Sequence, residues 1–276
     1  MIDKRIASLA IALALLLSTA GSTFAMPADG SVPKKQTPGL ATKTFVHYDK
    51  DRARTSLSLQ ASAAATVEKP CATSGSPTCS TFAYGGVHWK VGSRVVYFID
   101  MNFSTSKSPT LTQSAAMAAI YGSFRVWGAA MPAAGGITFV YGGTTRVAPG
   151  RPDLRNVVGW GSLPSGTLAV TTVWYLASTG QILEADVTLN NSYSWAYTPP
   201  TGCTITNVSC NPGPAGPART YDVRNVATHE VGHTLMLGDL YSWSNRGLTM
   251  YGYASPNQRA KDSLGTGDRL GVRSAY

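Results

Sequence analysis

Between residues 82 and 190 the apolar positions fall into short hydrophobic runs, interrupted by one long segment of helical period. The run Arg94-Val95-Val96-Tyr97-Phe98-Ile99-Asp100 is β-branched and aromatic and predicts a strand. After it Ala116, Ile120, Phe124 and Trp127 recur at intervals of three and four, as one buried face of a helix does. Pro109 suits the first turn of that helix, and Thr110 with Gln113 has capping-box spacing. Pro132 and the pair Gly135-Gly136 end it. Ile137-Thr138-Phe139-Val140-Tyr141, Asn156-Val157-Val158-Gly159-Trp160 and the run from Leu168 to Tyr175 predict further strands. A Gly180-Gln181 turn joins the last of these to a strand over residues 182–190. Strand, helix, more strands and then one or two late helices is the order of an α+β fold.

Outside that region the pattern changes. Residues 1–25 open with Lys4 and Arg5, run apolar from Ile6 to Leu17 and close on small residues. This predicts a secretory signal peptide, cleaved after Ala20 or Ala25. The apolar run is short for a membrane span, which takes about 20 residues, and nothing later approaches that length. Residues 26–80 show little period over most of their length. They mix Pro33-Lys34-Lys35, the charged run Asp49-Lys50-Asp51-Arg52 and a Ser/Ala/Thr tract over 56–66. A propeptide and a flexible N-terminal segment fit this equally. Residues 198–219 form a Pro/Gly-rich surface excursion, after which Asp222 is placed to cap a helix.

Composition sharpens this toward export. Charged residues make up 13% of the chain, against 28 glycines and 16 prolines. The four cysteines fall as two close pairs, Cys71 with Cys79 and Cys203 with Cys210, each spanning a loop-forming stretch. An even count in an exported chain favours two local disulfides; three connectivities are open, and neither pair has CxxC spacing. The net charge of +9 raises the question of nucleic acid. Lysine and arginine are scattered, with no block of like charge and no nucleic-acid motif, so a generally basic surface is the smaller and better inference. There is no internal repeat and no Gly/Asp nonapeptide array of the calcium-binding kind, so Ca²⁺ is not indicated.

The candidate chemistry sits in His229-Glu230-Val231-Gly232-His233. Histidines four apart on a helix project from one face, and both imidazoles can reach one ion. Glu230, beside the first, is then placed to act as general base on a metal-activated water. The competing reading is an ordinary solvated helix. Catalytic zinc takes three protein ligands. The chain has four histidines, and neither His47 nor His88 follows the helix at a useful distance. The third ligand is therefore expected to be a carboxylate, and Asp239, six residues past His233, is where a sharply turning chain returns. A solvated loop aspartate is the bland alternative.

His229 to Asp239 resembles the metzincin zinc signature HExxHxxGxxH, with Asp in the last place as in the snapalysin branch. Leu248-Thr249-Met250-Tyr251-Gly252-Tyr253 is similar to the matrixin form of the methionine turn. Residues 89–102, 111–127, 184–195 and 264–276 are similar, in order, to matrixin strands and helices, so the resemblance spans residues 82–276. It implies a metzincin-like catalytic domain over residues 81–276. The implied sheet is twisted and mostly parallel with an antiparallel edge strand, beside two long helices and a C-terminal helix. The zinc would lie in a cleft between upper and lower subdomains. Met250 is implied as a hydrophobic floor beneath the ligands. Leu168, Ala169 and Val170 belong to a strand that can pair with an extended substrate if it is a sheet edge; an internal strand is the alternative. Tyr251 and Tyr253 are candidates for the wall of a substrate pocket, or plain structural aromatics.

The chain departs from the family pattern in three places. Met236 replaces the glycine at which the chain leaves the helix; either it adopts the positive φ itself or Gly238 takes the turn. The strand at Leu168-Ala169-Val170-Thr171 lacks the structural-zinc histidines of animal matrixins, so one zinc is expected. Pro70-Cys71 only faintly resembles a cysteine switch, and nearby Cys79 makes a disulfide the expected fate. The implied function is that of a secreted, monomeric, zinc-dependent endopeptidase acting on proteins or peptides, without nucleic acid or membrane span. The alternative is a catalytically inactive secreted relative that binds a partner.

Overall fold

In the computed structural model of the chain, the described residues are 39–50, 69–103, 107–108, 110–199 and 217–276. Residues 1–25, expected to be a signal peptide, and Pro109, Cys203 and Cys210 lie outside them. In chain order the elements are β1 (Leu40–Asp49), β2 (Arg94–Asp100), α1 (Gln113–Ala130), β3 (Thr138–Thr145), β4 (Asn156–Gly161), β5 (Thr167–Leu176) and β6 (Ile182–Asn190). They continue with β7 (Trp195–Ala196), β8 (Tyr221–Asp222), α2 (Val223–Thr234), β9 (Tyr253–Ala254) and α3 (Thr266–Ala275). The larger sheet has strand order β3-β2-β4-β6-β5-β1-β9, and β7 pairs with β8 separately. β2 runs parallel to β3 and β4, β4 to β6 and β1 to β9; β5 is antiparallel to both β6 and β1. The fold is thus α+β, with a mixed, mostly parallel sheet and a few helices.

The strands foreseen between residues 94 and 190 form where the alternating and β-branched runs lie. One expected feature differs. The strand carrying Leu168, Ala169 and Val170 is not an edge, because β1 pairs along it from Leu40↔Leu176 to Tyr48↔Thr167. β1 escaped the hydrophobic pattern because its polarity is inverted. Phe45, His47 and Asp49 point inward while Val46 and Tyr48 are only partly buried. Two of the three inward residues are polar, so apolar alternation gives no signal there.

Helix α1 buries Ala116, Ile120, Phe124 and Trp127 as its period requires. Its cap is Thr112, whose Oγ1 accepts from Ala115 N (3.1 Å), and not Thr110. The Trp127 indole N–H donates to the Thr228 carbonyl (2.7 Å), and Ser123 meets Thr228 (3.1 Å), locking α1 against α2. On the far side of the sheet, Asp186 accepts from Gly150 N (2.6 Å) and Val157 N (2.7 Å), while Glu184 Oε2 accepts from Leu154 N (2.5 Å). These two carboxylates gather the backbone of the loop before β4.

Cys71 and Cys79, the expected disulfide pair, are buried free thiols in this structure whose side chains hydrogen-bond each other, and Cys79 Sγ also reaches Thr81 Oγ1 (3.4 Å) and Asn245 Oδ1 (3.6 Å). The stretch around them is tied to the C-terminal part of the chain. Cys71 N donates to Ser244 Oγ (2.9 Å), Gly75 N to the Ser244 carbonyl (2.7 Å) and Gly267 N to the Cys79 carbonyl (2.6 Å). Among the described residues, no helix is long and apolar enough to cross a membrane.

Candidate metal centre

Helix α2 starts where the sequence puts it. Asp222 Oδ1 accepts from Asn225 N (2.8 Å), and all twelve helical residues are buried. Such burial is far from the solvated helix that competed as an explanation. Both imidazoles are oriented by backbone carbonyls: His229 Nδ1 lies 2.7 Å from the Thr249 carbonyl and His233 Nδ1 2.7 Å from the Leu237 carbonyl. A carbonyl only accepts, so Nδ1 carries the proton and each Nε2 is left with a lone pair. Those lone pairs converge. The two Nε2 atoms are 3.0 Å apart, and Asp239 Oδ1 lies 3.1 Å from that of His229 and 3.5 Å from that of His233.

Three acceptor atoms so close together repel unless a cation joins them. Asp239 Oδ1 is buried and accepts no well-directed hydrogen bond, whereas Oδ2 accepts from Tyr241 OH (3.2 Å). The titration behaviour carries the same message. Burial alone would raise Asp239, but His233 and His229 hold it well below the usual carboxylate range. Burial opposes a charge on His233, yet Asp239 pushes it above its ordinary value. His229 is driven down to about 3 by burial and then by the charge of Lys261. Tetrahedral ligands about 2.1 Å from an ion stand roughly 3.3–3.4 Å from one another, close to the separations found. His229, His233 and Asp239 therefore fit a divalent, borderline-soft ion such as Zn²⁺ in donor type, tautomer and spacing. His47, His229 and Glu230 form a second close donor group that shares His229.

The turn that returns Asp239 is made by Met236 itself, at φ 63°. Leu237 N donates to the Gly232 carbonyl (3.2 Å) and Met236 N to the His233 carbonyl (2.8 Å), the paired bonds of a Schellman cap with Met236 in the left-handed position. Gly85 N donates to the Met236 carbonyl (2.8 Å) and Gly238 N to the Ala83 carbonyl (2.9 Å), so a neighbouring segment fixes the turn. Beneath the histidines, a Cβ at Gly232 would lie 2.3 Å from Met250 Sδ, so this approach of methionine to helix requires glycine. Asp268 holds the methionine turn by accepting from Thr249 N (2.9 Å) and Met250 N (3.1 Å). It thereby positions the Thr249 carbonyl that orients His229.

Glu230 is wholly buried, and burial raises its carboxyl to about 7 against the lowering effects of His233 and Thr171. Thr171 Oγ1, on β5, donates to Oε2 (2.5 Å). His47 Nδ1, on β1, lies 3.1 Å from Oε1. β1 also stacks Phe45 on His233, ring centroids 4.3 Å apart, and His47 on His229 at 3.9 Å. Running antiparallel to β5 and parallel to β9, it lies across the centre as an extended peptide would. Val46 pairs with Val170, His47 with Ala169 and Tyr48 with Tyr253, while Leu168 falls at the irregularity in the ladder and is buried. Tyr251 is buried, and its carbonyl accepts from Lys261 Nζ.

Sequence reasoning thus named the three converging donors, the adjacent glutamate and the methionine. It missed His47 and Lys261, which carry no local motif, and the specific bonds of Asp268 and Thr171. Neither family models nor curated protein sequences match this chain.

Proposed function

We propose that the protein is a secreted, zinc-dependent endopeptidase of metzincin type, cleaving extracellular proteins or peptides as a monomer. The observation that carries this is the convergence of the His229, His233 and Asp239 lone pairs beside a buried Glu230. His229, His233 and Asp239 would hold the zinc. When bound, zinc supplies an acidified water and polarises the scissile carbonyl. Glu230 would accept the proton of the attacking water as the carbon–oxygen bond forms, and deliver it to the amide nitrogen as the carbon–nitrogen bond breaks. Thr171 fixes Oε2 of Glu230, and Oε1, held by His47 in this structure, becomes available for proton transfer once β1 is displaced. The signal-like residues 1–25 support export.

The test is zinc content and peptide hydrolysis of the purified protein, in its full-length form and in any shorter form found in the medium. About one zinc per chain and chelator-sensitive cleavage of casein are expected. Glu230→Ala should keep the zinc and lose on the order of 10²–10⁴ in rate; full activity in that variant would sink the mechanism. One observation favours a second reading, an inactive binding protein: the chain's own β1 fills the groove. That reading predicts no hydrolysis even when β1 is displaced.

A further inference from the structure

Among the described residues Lys261 is the only lysine with no exposure at all, and its position beside the centre is not needed to hold metal or activate water. Its Nζ donates to the Tyr251 carbonyl and lies 3.0 Å from His47 Nε2. Among the described residues no carboxylate forms an ion pair with it; Asp239, Glu230 and Asp268 act on it only from a distance. Burying an ammonium without a directly paired counter-charge is costly, and burial accordingly pulls Lys261 down to about 7 against the raising effects of Asp239, Glu230 and Asp268; a carboxylate ligand placed against Nζ would restore the charge.

His47 shows what kind of group fits. Its Nε2 lies 3.0 Å from Lys261 Nζ, a group that donates, and its Nδ1 3.1 Å from Glu230 Oε1. With Nδ1–H donating to Glu230 Oε1, the Nε2 lone pair faces the Lys261 ammonium. The side chain that enters this pocket therefore ends in an acceptor. β1 has the direction of an extended peptide laid between β5 and β9, so the place of His47 is that of a substrate side chain.

We propose that the pocket filled by His47, walled by His229, Glu230 and the Tyr251 carbonyl and floored by Lys261, is a specificity site for acidic side chains. This rests on the endopeptidase reading above. Peptides bearing Glu or Asp at the corresponding position supply the missing counter-charge. Glu is preferred, because its carboxylate reaches about as far from Cα as the imidazole Nε2 does. The basic chain, at +9, draws acidic substrates toward the site.

The test begins with a double-mutant cycle in the full-length chain. His47→Glu and His47→Leu are each made with Lys261 present and with Lys261→Met, and denaturant unfolding gives the folding constants. With Lys261 present, His47→Glu should be tolerated and His47→Leu should destabilise. Lys261→Met should shift the ratio of the two folding constants at least tenfold toward Leu; an unchanged ratio overturns the proposal. If Lys261→Met does not fold, Lys261→Gln takes its place. The second measurement is kcat/KM of full-length Phe45→Asp/Val46→Pro, which displaces β1, on peptides differing only by Glu, Gln, Leu or Lys at one position. Glu should exceed Leu at least tenfold, chiefly through KM, and a preference for Leu or Lys overturns the proposal. A coupled cycle with no hydrolysis of any peptide supports the pocket and counts against the endopeptidase reading alone.

Discussion

His47 Nδ1 lies 3.1 Å from Glu230 Oε1, although 183 positions separate them in the chain. The contact joins the N-terminal strand to the residue best placed to act as a base. Phe45 on His233 and His47 on His229 cover the same centre, so β1 excludes an incoming peptide from the groove it occupies.

Displacing β1 should therefore activate the protein. β1 is flanked by β5 and β9, so a proline at position 46 interrupts its ladder, and an aspartate at position 45 removes the stack on His233. Full-length Phe45→Asp/Val46→Pro is expected to raise kcat/KM for a quenched-fluorescence peptide at least tenfold over the unaltered full-length chain. Equal or lower activity in a variant that still melts cooperatively would remove β1 as the block.

Asp239→Ala tests the third ligand. With one of the three converging donors gone, zinc stoichiometry after dialysis against a weak chelator should drop well below one per chain. Asp239→Asn, which keeps the shape but loses the charge, should fall between the two. Undiminished zinc in Asp239→Ala would show that another group, such as His47 or Glu230, completes the site.

What could be read in advance follows from where each signal resides. His229 and His233, four apart on one helix, are placed on one face by spacing alone, with Glu230 next to the first of them. Asp239 required only a short turn. The strands of the sheet announced themselves because their inward positions are apolar, as at Val95, Tyr97 and Ile99. β1 inverts that rule: His47 and Asp49 are buried because the groove is polar, and local pattern has no term for a distant environment. Lys261 stands in the charged run Arg259-Ala260-Lys261-Asp262, which reads as a solvated stretch, and only tertiary packing buries it beside β1. The Cys71–Cys79 pair is the converse case: its short loop spacing already announces that the two buried side chains meet, here as thiols hydrogen-bonded to each other.

Met236 makes a case where two effects oppose and their magnitudes decide. Its φ of 63° costs about 1 kcal/mol, which Met236→Gly would recover. The same side chain is 1% exposed, and deleting a buried methionine costs about 2–5 kcal/mol. Packing wins, so Met236→Gly should lower stability by roughly 1–4 kcal/mol even though glycine is the relaxed residue for this conformation. Urea unfolding measures it directly; a more stable variant would mean that strain in the turn exceeds the packing there.

Glu184 contributes a pH dependence to stability away from the candidate metal centre. Burial raises its carboxyl from 4.5 to about 7, with the Leu154 N–H pulling the other way, and Oε1 has no hydrogen-bond partner. Folded protein thus holds this proton more tightly than unfolded chain does. The stabilising contribution is complete below about pH 4.5 and is lost as pH rises through about 7. Asp186, raised to about 6 by burial, acts with the same sign. Glu184→Gln cannot ionise yet keeps an oxygen for Leu154 N, so its stability should fall less than that of the unaltered protein between about pH 5 and about pH 8. Urea unfolding at the two pH values decides the matter, and equal declines in both proteins would place the proton elsewhere.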